Sequence, residues 1–375
     1  MRLDAGLVSA VLLLAQMPLT PPPLPPPQAQ SESAAFEVEL VCDGLRVPSA
    51  LAFLPDGRAL VTDRGRGRMS LLDVRRGRPA RLEGVPAGLV EEEAGLHDVK
   101  LHPDYAVNGW IYVSYTHGER HRSTTVVDRV RLEGTRLIDR SRVFAADAYS
   151  EDRYHYGGKL TFLGGSLFLT VGDRHWPDRA QDLSNHSGKI LRVHDDGRVP
   201  SDNPFVGRAG ARPEIWSYGH RNPQGLTVRP GTEELWSTEH GPLGGDELNL
   251  IRKGANYGWP VVSYGWQYSG GPIGKGIVSE KGMEPPVWVW TPAIAPSGIF
   301  FYRGAGFPRW RGSLFSGAMG LRHVNRLVLA EGHVVLEERL LNRRAGRVRV
   351  VSEGPDGFLY IGNDDGRILR LRPRP

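Results

Sequence analysis

Cysteine is almost missing from this chain of 375 residues: Cys42 is the only one. One thiol forms no internal disulfide, and it builds neither a thiolate zinc cluster nor an iron–sulfur centre. Lysine is nearly as scarce, at positions 100, 159, 189, 253, 275 and 281, so the other 41 of the 47 basic residues are arginine. No block of five or more basic residues occurs and the net charge is only +5, which leaves nucleic acid out of the expected partners. Most of the arginine bias reads as compositional, although planar guanidiniums suit a carboxylate or phosphate ligand. The apolar stretch at residues 7–14 is too short to cross a bilayer, so no transmembrane segment is expected. The D-x-[DN]-x-[DN]-G loop of an EF-hand is also absent.

Glycine (47) and proline (29) are plentiful, which argues against a helical bundle. Apolar residues make up 40% of the chain and nine tryptophans are present, enough for a large buried core. Residues 1–30 read as a separate unit. Arg2, the short apolar stretch and a proline-rich spacer at 18–27 have the pattern of a secretion signal, so the expected location is periplasmic or secreted.

A repeat organises the remainder, residues 36–375. From Leu51 the chain reads LAFLPDGRALVTD: an alternating strand, a Pro-Asp-Gly turn and a second strand. The phrase returns at Val99, Leu160, Leu226, Ile299 and Val350, with spacings of roughly 50 to 70 residues that suit four-stranded units carrying loops of different length. Six repeats predict an all-β, six-bladed β-propeller of four-stranded antiparallel blades. Function is expected on the face that gathers the long insertions.

Several residues in those insertions carry chemistry. His155, in YHYGGKL, is placed to act as a base, or equally to be structural. Asp173, at a strand end, either orients that imidazole or caps a turn. Arg221 and Asn222 adjoin in HRNPQG, where a guanidinium and an amide can together hold carboxylate or carbonyl oxygens. Asp246 and Glu247, in a glycine-rich run, offer oxygens of the kind calcium takes. Arg347 and Arg349 alternate with valines and project from one strand face, towards a ligand or towards solvent.

The segments GLHDVKLHPDY, HYGGKL, IWSYGHRNPQGL, EHGPLGGDELNLI, GANYGWPVVSYG and GPDGFLYI resemble the soluble PQQ-dependent aldose sugar dehydrogenases of the glucose/sorbosone dehydrogenase family, from about Phe36 to the end. The resemblance implies His155 as general base and Asp173 as its orienting partner. It implies contacts to PQQ from Arg221, Asn222, Tyr268, Arg347 and Arg349, and calcium held by the carbonyls of Gly241 and Pro242. Glu247 and the Tyr257 carbonyl match a second calcium site. It also implies an aldose substrate, an external electron acceptor, and a monomer or homodimer.

The chain departs from the family pattern at a few positions. Glu93 stands where a glutamine usually contacts PQQ, which predicts a displaced loop or weaker cofactor binding unless the carboxylate is protonated or paired. Met319-Gly320 stands where many relatives have a cofactor-binding lysine, with Arg322 as a candidate substitute. Ser49 replaces a tryptophan, read as a packing change at most, and His175 has no account. These departures leave a propeller sugar-binding module with weakened or lost redox activity as the alternative.

Overall fold

The structure is a computed structural model describing residues 35–374. The expected export segment, residues 1–30, lies outside the described residues. The chain forms six four-stranded antiparallel sheets, and the first strands of adjacent sheets touch one another in a closed ring. This is a six-bladed β-propeller. The innermost strands are Pro48–Phe53, Leu96–Leu101, Leu160–Leu163, Pro223–Val228, Pro296–Phe301 and Val348–Glu353. Each of the six positions at which the sequence phrase recurs falls on one of them.

The last repeat supplies only three strands. Its outer strand comes from the other end of the chain: Phe36–Cys42 pairs antiparallel with Ile368–Pro373, Phe36 opposite Pro373. Cys42 is thereby buried in the seam between the last blade and the first, where burial pushes its thiol up to about 11. That position suits a core residue more than a reactive thiol.

Six apolar clusters hold the ring together, one between each pair of neighbouring blades. Alternation along the strands assigns side chains to them. In Ala59–Asp63, Leu60 faces the second blade, while Ala59 and Val61 face the sixth. Such strands are covered on both faces and so read as nearly continuous apolar runs. Each buried Leu or Val contributes about 1.5–3 kcal/mol relative to exposure. The Pro-Asp-Gly turns repeat their geometry: Gly57 (φ +86°) and Gly357 (φ +72°) occupy the left-handed region that favours glycine, and each bonds back to the residue three before it. Among the described residues no helix is long and apolar enough to cross a membrane.

Candidate active site

The site begins with a defect shared by the blades. In five of the six innermost strands the pairing slips by one residue near the strand start, leaving a β-bulge. Bulges re-aim side chains, and these recur at one level of the ring. Ser49, His97, Gln224, Ser297 and Arg349 lie at the bulges, and with Gly157 from the remaining blade they line one cavity of about 310 Å³ at the central channel. Ser49 is therefore more than a packing change. It is a channel residue whose hydroxyl donates to the Leu96 carbonyl (2.7 Å) and pairs with Thr62 (2.9 Å).

Beside the channel, His155 and Asp173 form a pair, with His155 Nδ1 2.7 Å from Asp173 Oδ1. Both residues are buried, at 6% and 1% exposure. Asp173 Oδ2 accepts from the Trp259 indole at 2.8 Å, and the Asp173 amide donates to the Arg221 carbonyl. The residue is thus held from three loops, its carboxylate by two of them and its amide by the third. Burial acts to raise the Asp173 acid, but the hydrogen bond and charge of His155, then Arg221, then the Trp259 bond outweigh it and keep the group ionised. Burial, reinforced by Arg221 and His175, lowers His155 below its ordinary value against the opposing pull of Asp173. A neutral imidazole donating Nδ1–H to a carboxylate keeps its lone pair on Nε2, which is the form a base needs. His155 has a left-handed backbone (φ +56°), with its amide donating to Glu93 Oε2 at 2.9 Å. Its Nε2 lies 3.1 Å from Nε2 of His175.

A second cavity, about 260 Å³, is lined by Arg221, Glu239, Gly241, Glu247, Tyr257 and Trp259 among others. Arg221 donates through Nη1 to the carbonyls of His240 (3.1 Å) and Gly241 (2.8 Å). Its neighbour Asn222 is 1% exposed, and its Nδ2 has no hydrogen-bond partner. A buried donor without a partner costs about 1–3 kcal/mol, so this amide is available to a ligand. Glu247 is pushed well above the carboxylate range by burial and by the charge of Glu239, while Asn249 donates to both carboxylates. A buried carboxyl, a half-buried one and nearby backbone oxygens are a donor set that a hard cation satisfies. Asp246 is already engaged by the amides of Gly241 (2.9 Å) and Ala295 (2.7 Å).

Arg347, just before the strand, and Arg349, at its bulge, converge on one partner: Nε of each donates to the carboxylate of Asp364. The structure adds two cations that sequence reasoning missed. Arg64 lies close enough to Arg349 and Arg347 that burial and their charges push it down to about 10, with Glu93 and Asp364 opposing. Lys159 is buried in the channel, donates to the carbonyls of Ser49 and His97 (3.0 Å each), and is pushed down to about 8 by burial. Arg64 follows Thr62-Asp63 as Arg174 follows Gly172-Asp173, and aligning the repeats on their second strands would have exposed it. Glu93 is paired: burial acts to raise it, but His155, Arg64 and His240 hold it below its ordinary value. Tyr268 is not brought to the cluster, standing 74% exposed, and Arg322 is also exposed.

The model of the family described as Glucose / Sorbosone dehydrogenase matches residues 45–370. The chain is 41% identical over 350 residues to the aldose sugar dehydrogenase YliI of Escherichia coli, covering 91% of this chain and 94% of that protein. It is 31% identical to quinoprotein glucose dehydrogenase B of Acinetobacter calcoaceticus, covering 99% and 96%. The PQQ-bound aldose sugar dehydrogenase of Streptomyces coelicolor superposes with a TM-score of 0.75 at 28% identity, covering 92% of this chain and all of that one.

Proposed function

Because the chain belongs to the glucose/sorbosone dehydrogenase family, we propose that it is a quinoprotein oxidoreductase. In this reading it uses PQQ and calcium to oxidise aldose sugars at the anomeric carbon to lactones. The observation that carries the reading is the buried His155–Asp173 pair, poised as a neutral base. It stands beside a channel lined by the basic side chains of Arg64, Lys159 and Arg349, and the adjoining loop carries the buried, unpartnered Asn222 amide.

The residues present fit an acidic, carbonyl-bearing cofactor. Asn222 Nδ2 and the Arg221 guanidinium would hold its oxygens, while Arg64, Arg347 and Arg349 would face its carboxylates. Calcium would fit the second cavity: Glu247 and the Tyr257 carbonyl would form one set of ligands there, and the Gly241 carbonyl, with that of the adjoining Pro242, another. The Gly241 oxygen already accepts from Arg221, and a carbonyl has a second lone pair for a cation. When bound, PQQ supplies the two-electron acceptor for the hydride leaving the sugar carbon. His155 takes the proton of the anomeric hydroxyl on Nε2, and Asp173 keeps the opposite nitrogen protonated and stabilises the imidazolium that forms. Glu93, engaged by the His155 amide and flanked by Arg64, does not stand as an uncompensated charge, which weakens the case for a binding-only propeller. The proposed setting is the periplasm or the exterior, with an external acceptor reoxidising the cofactor.

The test is reconstitution of the purified protein with PQQ and calcium, followed by dye reduction with glucose and other aldoses. Dye reduction that is lost on chelating calcium is the expected result. A folded protein that reduces no dye with any aldose would overturn the reading.

A further inference from the structure

His175 is an exposed residue against a buried base. Its Nε2 lies 3.1 Å from Nε2 of His155, the rings meet edge-on with centroids 4.0 Å apart, and its Nδ1 lies 2.8 Å from Asp152 Oδ2. Four groups therefore run in line from the interior to the surface: Asp173, His155, His175 and Asp152. The His155 side chain is 8% exposed and that of His175 44%.

Proton counting constrains this chain. A carboxylate accepts, so both Nδ1 atoms carry hydrogen. The two Nε2 atoms then face each other, and two lone pairs at that separation repel. A hydrogen bond between them requires one shared proton. The His155 ring is buried and that of His175 is open to water, so the charge of a shared proton is better solvated on the His175 side. The backbone is arranged for this contact. Arg174 and His175 are both left-handed (φ +58° and +55°), a costly conformation for side chains of their size. It is held by the His175 amide donating to Asp173 Oδ1 (3.0 Å), and by the buried Arg174 guanidinium donating to the carbonyls of Tyr154 and Asp152.

We propose that His175 is the group through which the proton leaves the site, sharing one proton with His155 Nε2 and carrying to solvent the proton that the sugar hydroxyl gives up. The proposal rests on the reading of His155 as the base. Substrate replaces His175 at Nε2, and the displaced ring turns outward and releases its proton to water. The sugar O–H bond breaks as the N–H bond forms on His155, and the hydride from the same sugar goes to the quinone, so the two electrons leave with it. The neutral His175 ring then returns and takes the proton from His155, restoring the starting state with one proton delivered to water per turnover. Because His175 acts through His155, it is a positioning residue.

The charged and titratable neighbours are Asp173, Glu93 and Arg221 around His155, and Asp152, Arg174 and the stacked Tyr154 around His175. All of them remain in His175→Asn and His175→Gln, and asparagine suits the left-handed backbone. In the protein without cofactor, nitrogen NMR of the imidazoles across pH should show His155 titrating about half a unit or more higher in both variants, as removal of an adjacent positive charge requires. In the reconstituted enzyme, kcat with glucose should fall about tenfold at low buffer concentration with KM unchanged. Added imidazole should restore kcat in the variants and leave the parent unchanged. An unchanged His155 midpoint overturns the shared proton, and a shifted midpoint without imidazole rescue overturns the exit role. If the parent enzyme oxidises no aldose, the dehydrogenase reading fails, while the NMR titration still decides whether the rings share a proton.

Discussion

Two buried imidazole–carboxylate pairs sit in adjacent blades and have opposite fates. His155 meets Asp173 at 2.7 Å, and His220 meets Glu239 at 3.1 Å. His220 is spent: its Nε2 is capped by the Ser217 hydroxyl at 2.9 Å, and its ring stacks on Tyr257 with 0% exposure. His155 differs at its second nitrogen, which meets no buried core partner but a half-exposed histidine. A carboxylate behind a histidine orients the ring in both pairs. What makes a base is the freedom of the other nitrogen.

The largest effect expected on this contrast comes from Asp173→Asn. Without its acceptor, His155 loses the tautomer that frees Nε2, and kcat of the reconstituted enzyme should fall about a thousandfold, equivalent to about 4 kcal/mol of barrier. A loss of less than about tenfold in steady-state assays would show that Asp173 is not the orienting group. Next is His220→Ala, which leaves the Glu239 carboxylate without its imidazole beside Glu247. It should cost about 3 kcal/mol in urea unfolding, with the NMR titration of His155 unmoved. A kinetic defect without a stability defect would erase the distinction between the two pairs.

The most gradual effect, spread over several pH units, is on acid stability. His97, His155 and His323 are lowered by burial, His323 to about 4. The unfolded chain therefore takes up protons first as pH falls below about 6.5, and stability is lost in that direction. Each group costs up to about 1.4 kcal/mol per pH unit until its folded value is reached. His323→Gln should flatten the fall in urea stability between pH 6 and 4, and an unchanged slope would show that His323 does not carry it.

The ring of six blades was legible because a strand, turn and strand phrase leaves its mark in residue type: Pro-Asp-Gly at Gly57 recurs at Gly357. The borrowed outer strand was not, since Phe36–Cys42 carries no copy of that phrase. His155, Asp173, Arg221 and Asn222 could be nominated from their loops, and the structure groups them. Arg64 and Lys159 were missed because a basic residue in a channel and one on the surface look alike until strand register is known. Ser49 looked like lost packing because only the slipped pairing of Pro48 and Ala50 shows where its side chain goes. His175 had no sequence signal at all, since its partner lies twenty residues back across a fold in the backbone.

The borrowed strand also dictates the order in which this molecule can be finished. Arg370 grips Glu39 across a sequence separation of 331, whose closure entropy is on the order of 5 kcal/mol. While the polypeptide is being made, residues 36–42 have no partner until the last strand arrives. Until then the growing array has an open edge at each end, ready to pair with another copy. The circle locks only when its two ends meet, so truncating either one should release the whole seam around Cys42 rather than fray a single strand.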